Sequence, residues 1–217
     1  MKKIILFGNG SYAKTLTYYI ENTTDWEIVA YCTDLISIET TFNNKPYVPL
    51  CELLNKYAPK EYEIVMGIGY RNMNNLRKEK FNLLKGMGYT FANLIHPSAI
   101  LNNTILGEGN IILENVVIEP NTVLGNNIII WSATLLGHDG HIGSHSHFAA
   151  CSLVAGNVKI GENCFLGNHS TVKDGIEIAD YTLLGAGVYV SKNTQKYDVV
   201  VPARAVTLNK RKSTDYI

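Results

Sequence analysis

The stretch ILNNTILGEGNIILENVVIEPNTVLGNNIII, residues 100–130, has an aliphatic residue at every sixth position. The spacing extends in both directions, with aliphatic residues or phenylalanine at Leu94, Ile100, Leu106, Ile112, Ile118, Leu124, Ile130, Leu136, Ile142, Phe148, Val154, Ile160, Leu166, Val172, Ile178, Leu184 and Val190. Because such residues fill roughly a third of an ordinary domain, a chance run of this length has odds on the order of one in a hundred million. The period of six is therefore structural.

A period of six belongs neither to a helix, with about 3.6 residues per turn, nor to a lone strand, with about two. It indicates a short unit that repeats and stacks on itself, three units making one coil of 18 residues. The position four residues after each anchor is almost always small or β-branched, as at Thr104, Thr122 and Ser146, which suits a tight inward-facing place. Gly, Asn, Asp and Pro between the anchors, as in residues 107–110, allow bends. Each unit is predicted to be a short strand followed by a corner.

This pattern resembles the hexapeptide-repeat left-handed parallel β-helix, a triangular prism of 18-residue coils. The resemblance covers nearly half of the chain and implies a departure from the right-handed crossovers usual for parallel strands. Members of that family are homotrimers with active sites in clefts between subunits. The resemblance therefore implies a homotrimer here.

The first ninety residues alternate apolar runs with helical segments, which is typical of an α/β domain with a small Rossmann-like parallel sheet. Residues 3–7, KIILF, form a predicted buried strand, followed by GNGSYA at 8–13 and a helix to about Glu21. A second predicted strand, residues 26–31, leads to Asp34, about where a dinucleotide fold places its ribose-binding acid. Further elements are predicted near Tyr47 (strand), at 51–57 (helix), 63–69 (strand), 74–85 (helix) and 89–94 (strand).

The Gly8-x-Gly10-x-x-Ala13 turn has two interpretations. Glycines let the backbone approach a phosphate, and the helix N-terminus behind them offers free N–H groups. Equally, such a turn can need glycine for steric reasons alone. Ninety residues make about half of a two-lobed dinucleotide fold, so a mononucleotide or nucleotide-sugar fits better than NAD. We predict a nucleotide-sugar-binding domain at 1–92 and a β-helix acyltransferase domain with a C-terminal tail at 93–217.

Bulk composition excludes several classes of protein. Lysine plus arginine and aspartate plus glutamate both number 19, so no net field attracts nucleic acid or an anionic membrane. No run approaches the roughly 20 apolar residues that span a bilayer. The four cysteines show no zinc-like spacing, and residues 1–7 reach Gly8 too soon for a signal-peptide core. We expect a cytoplasmic protein with reduced thiols.

Six histidines are candidates for acid–base chemistry, and four of them lie between residues 138 and 147. Coil geometry spreads the four around the prism, so no metal site is expected. A period of 18 stacks His138 on Gly156, one strand spacing of roughly 4.8 Å away. The Gly156 N–H then becomes a candidate oxyanion donor. By contrast, His96, His145 and His169 are expected to be solvated corner residues.

With residues 136–143, 155–158 and 201–204 added to the glycine turn, nearly the whole chain resembles the bacterial sugar acyltransferases, which include sialic-acid O-acetyltransferases and nucleotide-amino-sugar N-acetyltransferases. The resemblance implies acetyl-CoA as co-substrate and no bound cofactor. It makes His138 the general base, oriented by Asp139, and places acetyl-CoA against His147 and Gly156. It puts the nucleotide-sugar phosphates near Gly8, Gly10 and Lys14 and the nucleoside near Asp34. Ser11-Tyr12 departs from the small segment common at this point in the family.

Two further segments have weaker signals. Arg71 follows a strand, where doubly wound sheets bind ligands, and is a candidate to reach phosphate or sugar, although it equally suits a helix start. The tail beyond Lys196 leaves the six-residue register, and Arg204, Lys210, Arg211 and Lys212 are candidates to meet the phosphates of coenzyme A. The alternative is a solvated charged tail.

Three functions are consistent with these observations. The first is N-acetylation of a nucleotide-linked amino sugar of the 4-amino-4,6-dideoxy type, by direct attack of the amine on the thioester. The second is O-acetylation of sialic acid or a related sugar, which would depend more severely on His138 because a hydroxyl is a far weaker acid than an ammonium. The third is a non-catalytic trimeric scaffold, against which the His138-Asp139 pair and Gly156 argue.

Overall fold

The run KIILF forms the central strand of a mostly parallel sheet in the computed structural model, which describes residues 1–34, 41–205 and 214. Within these residues the strand order is β3-β4-β2-β1-β5-β6, and only β3 and β4 pair antiparallel. The predicted second strand continues beyond Tyr31 to Thr33. The strands are β1 Lys3–Phe7, β2 Glu27–Thr33, β3 Thr41–Phe42, β4 Lys45–Pro49, β5 Glu63–Met66 and β6 Thr90–Phe91.

Helices pack on this sheet through apolar stripes. Helix α1, Ser11–Thr23, buries Ala13, Leu16 and Ile20, which share one face because of their helical spacing. The short helix α2, Leu53–Lys56, follows a 3₁₀ turn at Leu50–Glu52. Helix α3 spans Asn75–Gly86 and buries Arg77, Phe81 and Leu84. The small α/β domain is therefore as predicted.

The six-residue units form a left-handed parallel β-helix, as the sequence predicts. Its strands are two residues long, and each pairs with the strand 18 residues away, as Leu135 does with Leu153. Within the described residues they form three sheets, named here by what covers them. The covered face holds β7 Leu94–Ile95, β10 Ile111–Ile112, β13 Ile129–Ile130, β16 His147–Phe148, β19 Phe165–Leu166, β22 Leu183–Leu184 and β24 Val199–Val200.

The other two faces differ in their outward side chains. The apolar face holds β8 Ile100–Leu101, β11 Val117–Ile118, β14 Leu135–Leu136, β17 Leu153–Val154, β20 Thr171–Val172 and β23 Tyr189–Val190. The polar face holds β9 Ile105–Leu106, β12 Val123–Leu124, β15 His141–Ile142, β18 Lys159–Ile160 and β21 Glu177–Ile178.

The interior of the prism is filled by the anchors and by the small residues four positions after them. Phe148 and Leu166 are fully buried, and so are Thr122 and Thr134. Buried hydroxyls still find acceptors, since Thr122 Oγ1 donates to the Gly137 carbonyl at 2.7 Å. The predicted inward place beside each anchor is therefore confirmed.

Corners recur at a fixed position, three residues after each anchor. There the backbone adopts the left-handed region, with φ between +49° and +71°. The corner residues are Asn103, Gly109, Asn115, Asn121, Asn127, Ala133, Asp139, His145, Cys151, Asn157, Asn163, His169, Gly175, Tyr181 and Gly187. Asn, Gly and Asp tolerate this conformation best, and they fill most of these positions. This one conformation turns the chain at every corner and keeps the coils in register.

The α/β domain packs against the covered face. Helix α3 runs along one corner, where Lys85 forms an ion pair with Glu108 at 2.9 Å and Lys78 one with Glu162 at 2.8 Å. Near the far end of α3, the Tyr181 hydroxyl donates to Asn75 Oδ1 at 3.1 Å. The two ion pairs lie 54 residues apart on the prism, or three coils. The domain is therefore fixed along the axis of the prism.

We expect Ala133→Gly to stabilise the protein, since Ala133 is exposed and its φ of +58° is strained for a residue with a Cβ. The expected rise in the free energy of unfolding is about 0.5–1 kcal/mol. Ala150→Gly is the matched control, one residue before a left-handed corner, and should lower the same quantity by about 0.5–1 kcal/mol. Urea unfolding of both variants measures the difference. A destabilised Ala133→Gly would contradict this account of the corners.

Candidate active site

A cavity of about 720 Å³ opens at the carboxyl ends of β1, β2 and β5. It is the position at which parallel α/β sheets bind ligands. Four predicted site residues, Gly8, Gly10, Asp34 and Arg71, line it together. The sequence positions of these residues span 63 places, and the sheet topology brings them to one edge.

The two glycines of the turn serve different needs. Gly8 has φ +135°, and a Cβ there would lie 2.7 Å from the Gly67 carbonyl oxygen, so packing against β5 alone requires glycine. A Cβ at Gly10 would meet nothing within 4 Å. Gly10 lies immediately before α1, whose first N–H groups have no helical acceptors and favour an anion. Steric need therefore explains Gly8, whereas the space beside Gly10 is open to a ligand.

An acid and a base meet at the far wall of the cavity. The Asp34 carboxylate is half-exposed and accepts an ion pair from Lys80 Nζ at 3.0 Å. Lys80, on α3, was not singled out from the sequence. Lys14 does not line the cavity, because its ammonium lies 5.8 Å from the centre of the Phe42 ring. Contact between Lys14 and a phosphate remains a prediction.

The loop after β5 joins the cavity to the prism. Arg71 is exposed, whereas the Tyr70 ring reaches the covered face and lies 4.9 Å from the His147 ring, centre to centre. His147 also stacks on Phe165 at 5.0 Å, with 13° between the ring planes. Only 3% of His147 is exposed, and burial lowers its pKa to about 3. His147 is therefore a neutral imidazole beneath the cavity loop.

The most reactive arrangement lies at the corner between the apolar and polar faces. His138 Nδ1 lies 2.8 Å from Asp139 Oδ2, and both side chains are about half exposed. The hydrogen bond from Asp139 raises the pKa of His138, and the same contact lowers the pKa of Asp139. With Nδ1 engaged, Nε2 is the nitrogen available to a substrate proton.

Gly156 lies directly beneath this imidazole. A Cβ on Gly156 would approach His138 Nε2 to 2.5 Å, so the predicted stacking of the two residues is present. Gly156 N donates to no acceptor within the described part of the chain, whereas the next amide, Asn157 N, donates to the His138 carbonyl at 2.8 Å. The corner thus combines an exposed base with an unused N–H.

Arg77 is a buried residue that the sequence gave no reason to select. Its guanidinium donates to Met66 O at 2.7 Å and Ile68 O at 2.8 Å, which begin the cavity loop. At 3.4 Å it also reaches Asn127 O and Gly109 O on the prism. Complete burial lowers its pKa to about 10. Arg77 therefore ties the cavity loop to the β-helix through backbone carbonyls.

The remaining histidines are dispersed, and one prediction about them is wrong. His145 is only 6% exposed rather than solvated, because α3 covers it: its ring contacts Phe81 and its Nδ1 pairs with Asn127 Nδ2 at 2.9 Å. Burial lowers its pKa to about 4. His169 is exposed and His96 is half-buried. Across residues 1–34, 41–205 and 214, no group of three His, Cys, Asp or Glu could hold a metal ion.

Two negative findings complete the description. Within the described ranges, no helix is long and apolar enough to cross a membrane. Arg204 is exposed, and the predicted coenzyme A contacts of Lys210, Arg211 and Lys212 lie outside the described residues.

Two family descriptions match the chain. Residues 3–84 match the PglD N-terminal domain, and residues 157–192 match the bacterial transferase hexapeptide of six repeats. UDP-3-O-acylglucosamine N-acyltransferase from Bordetella pertussis is 32% identical over 105 residues, which are 48% of this chain. The chain spans only 24% of the length of that relative.

Solved structures match along nearly the whole chain. PerB from Caulobacter crescentus, in complex with CoA and GDP-perosamine, has 25% identity and a TM-score of 0.79, and the match covers 93% of this chain and 95% of PerB. The acetyltransferase domain of PglB from Neisseria gonorrhoeae, in complex with acetyl coenzyme A, has 20% identity and a TM-score of 0.79, with 93% and 96% covered. WeeI from Acinetobacter baumannii has 19% identity, a TM-score of 0.79, and 93% and 97% covered.

Fold and site together define a hexapeptide-repeat acyltransferase with a docked α/β domain. The matches at both ends of the chain confirm the resemblance drawn from the sequence. The chain belongs to the bacterial hexapeptide-repeat sugar acetyltransferases that carry a PglD-type N-terminal domain.

We expect Arg77→Lys to destabilise the protein, because one ammonium cannot replace a guanidinium that reaches four carbonyl oxygens. The free energy of unfolding should fall by about 2–3 kcal/mol. Arg71→Lys, on the exposed part of the same loop, is the control and should change it by less than about 0.5 kcal/mol. Equal unfolding midpoints for the two variants in urea would show that Arg77 does not join the domains.

Proposed function

We propose that the protein is an acetyl-CoA-dependent N-acetyltransferase acting on a nucleotide-linked amino sugar of the 4-amino-4,6-dideoxy type. The observation that carries the proposal is the pairing of a half-exposed His138–Asp139 dyad over Gly156 with a separate cavity at the end of a parallel sheet. Two sites suit two substrates. PerB, which binds CoA and GDP-perosamine, supports this class of donor and acceptor.

The cavity is the proposed nucleotide site. The diphosphate would lie against Gly8, Gly10 and the first N–H groups of α1, where the backbone is open and the helix dipole favours negative charge. Asp34, held by Lys80, would accept hydrogen bonds from the nucleoside. Arg71 and Lys14 are long and exposed, and each is assigned to phosphate or sugar at the rim.

The proposed reaction is direct attack of the sugar amine on the thioester carbonyl carbon of acetyl-CoA. As the C–N bond forms, His138 Nε2 takes a proton from the amine, and the Gly156 N–H stabilises the oxyanion. The C–S bond then breaks, the thiolate of coenzyme A leaves, and the proton on His138 passes to it. Asp139 favours the imidazolium that exists between these two transfers.

The thioester is assigned to the surface around Gly156, and His147 is assigned to the same cofactor from the covered face. His138 and His147 lie on different sides of one prism, at a corner and on the covered face respectively. One site can therefore use both histidines only if they come from different subunits. In that arrangement, His147 supplies a neutral imidazole beneath Tyr70.

A homotrimer is the proposed assembly, and the apolar face is its proposed interface. Outward side chains on this face include Ile100 at 54% exposed, Leu153 at 39% and Tyr189 at 63%. Apolar surface in a continuous row is typical of a contact with another protein chain. Strand β14 on this face ends two residues before His138. A second copy seated here would border the base and narrow the cleft around it.

Two other functions remain candidates. An O-acetyltransferase of sialic acid or a related sugar would use the same dyad, but a nucleotide cavity gives it less support. A non-catalytic trimeric scaffold would need neither the dyad nor the open Gly10 turn. All four cysteines are free, which agrees with a cytoplasmic enzyme.

Coenzyme A release from acetyl-CoA, followed by thiol titration, tests the proposal. The acceptors are UDP-, dTDP- and GDP-linked 4-amino-4,6-dideoxy sugars beside free and CMP-linked sialic acid. We expect turnover with one amino sugar, and His138→Ala should lower it by about two to four orders of magnitude.

Each other outcome has a defined meaning. Turnover with sialic acids alone would replace the proposal by O-acetylation, and silence with every acceptor would favour the scaffold. Activity of His138→Ala within threefold of wild type would remove His138 as the base.

Gly156→Ala separates the dyad from the fold. The new Cβ would press on His138 Nε2, so the ring must leave its hydrogen bond with Asp139, while the backbone at Gly156 lies outside the left-handed region. We expect kcat to fall about 100-fold with the melting temperature nearly unchanged. Gly86→Ala, whose Cβ meets nothing within 4 Å, is the control. Turnover of Gly156→Ala within threefold of wild type would contradict the assigned geometry.

A further inference from the structure

Three corner residues at the same position in successive coils form a row of side-chain hydrogen bonds that ends at the dyad. Asn103 Nδ2 donates to Asn121 Oδ1 at 3.0 Å, and Asn121 Nδ2 donates to Asp139 Oδ1 at 3.1 Å. Asp139 uses its other oxygen, Oδ2, for His138 Nδ1. Both oxygens of this carboxylate are therefore engaged, one on each side.

The direction of the amide at Asn121 is fixed by its neighbours. Because Asn103 donates to Oδ1, the Nδ2 group of Asn121 is the end that faces the carboxylate. The left-handed backbone at Asn103, Asn121 and Asp139, with φ of +49°, +64° and +54°, aligns the three side chains along the prism axis. Asparagine fits this conformation and supplies the donor as well.

We propose that Asn121 is a positioning residue: it holds the Asp139 carboxylate in the plane that keeps His138 Nδ1 engaged, so that Nε2 points at the reacting proton. This inference rests on the proposed function, in which His138 is the base. Asn121 touches neither substrate and acts only through Asp139. A row of Asn, Asp and His would then serve as the His-orienting part of a triad.

Other groups around His138 are few, and they bear on its titration. Glu119 Oε2 accepts a hydrogen bond from the His138 backbone N–H at 3.0 Å, and the charges of Glu119 and Asp174 both raise the pKa of the ring. The hydrogen bond from Asp139 is the largest of these causes. Releasing the Asp139 carboxylate should therefore lower the pKa of His138 toward its ordinary value of 6.5.

Asn121→Gly is the test variant, because glycine keeps the left-handed corner without strain and removes only the amide. We expect kcat to fall about tenfold with both KM values nearly unchanged, and the acid limb of the kcat profile to move to lower pH. Asn115→Gly, at a left-handed corner of another row with φ of +56°, is the matched control and should leave both unchanged. In an Asp139→Asn background, Asn121→Gly should have no further effect on kcat.

An NMR titration of selectively labelled histidines gives a readout that needs no substrate. The His138 resonance is assigned by its loss in His138→Gln, and its pKa is measured in the wild type, Asn121→Gly and Asn115→Gly. We expect a lower value in Asn121→Gly only. An unchanged or raised His138 pKa in this variant would overturn the positioning role whether or not acetyl transfer occurs. A lowered value in a protein without transferase activity would leave the row intact and reject the proposed function.

Discussion

One backbone conformation, the left-handed corner repeated every six residues, is the constraint on which the rest of the molecule depends. It turns each two-residue strand into the next face and returns the chain to the same place after 18 residues. Stacking then converts sequence spacing into spatial contact, so that a residue meets the one 18 positions away. His138 over Gly156 and Asn121 beside Asp139 both follow from this rule. A single shifted corner would separate the base from the groups beneath and beside it.

The second requirement is that the α/β domain keeps a fixed position on the prism. Helix α3 supplies ion pairs along three coils, and Arg77 joins the cavity loop to carbonyls of the β-helix. Burying a guanidinium without a carboxylate partner is costly unless its N–H groups are satisfied, and here backbone oxygens satisfy them. The nucleotide cavity is thereby held at a set distance from the corner that carries the dyad. A two-substrate reaction needs such a fixed relation between its sites.

The sequence predicted the features that repeat and missed those that arise where distant segments meet. Anchors, inward small residues and the His138–Gly156 contact all follow from arithmetic on one period, as would the Asn121–Asp139 pair, which the same arithmetic could have found. The parallel sheet and its ligand edge follow from alternating apolar runs. The burial of His145 under α3 does not follow, because nothing near His145 in the chain marks the helix that covers it. Arg77 looks like any surface arginine of a helix, and Lys14 faces Phe42 instead of the cavity for reasons of local packing.

The central claim is that one chain brings a nucleotide-linked amino sugar and a thioester to a single histidine. A crystal structure with coenzyme A and a nucleotide-linked amino sugar bound tests it most directly. The account predicts the diphosphate at Gly10 and the start of α1, and both the sulfur of coenzyme A and the sugar nitrogen beside Nε2 of one His138. A sulfur bound away from every His138, or a diphosphate outside the cavity at the ends of β1, β2 and β5, would contradict it.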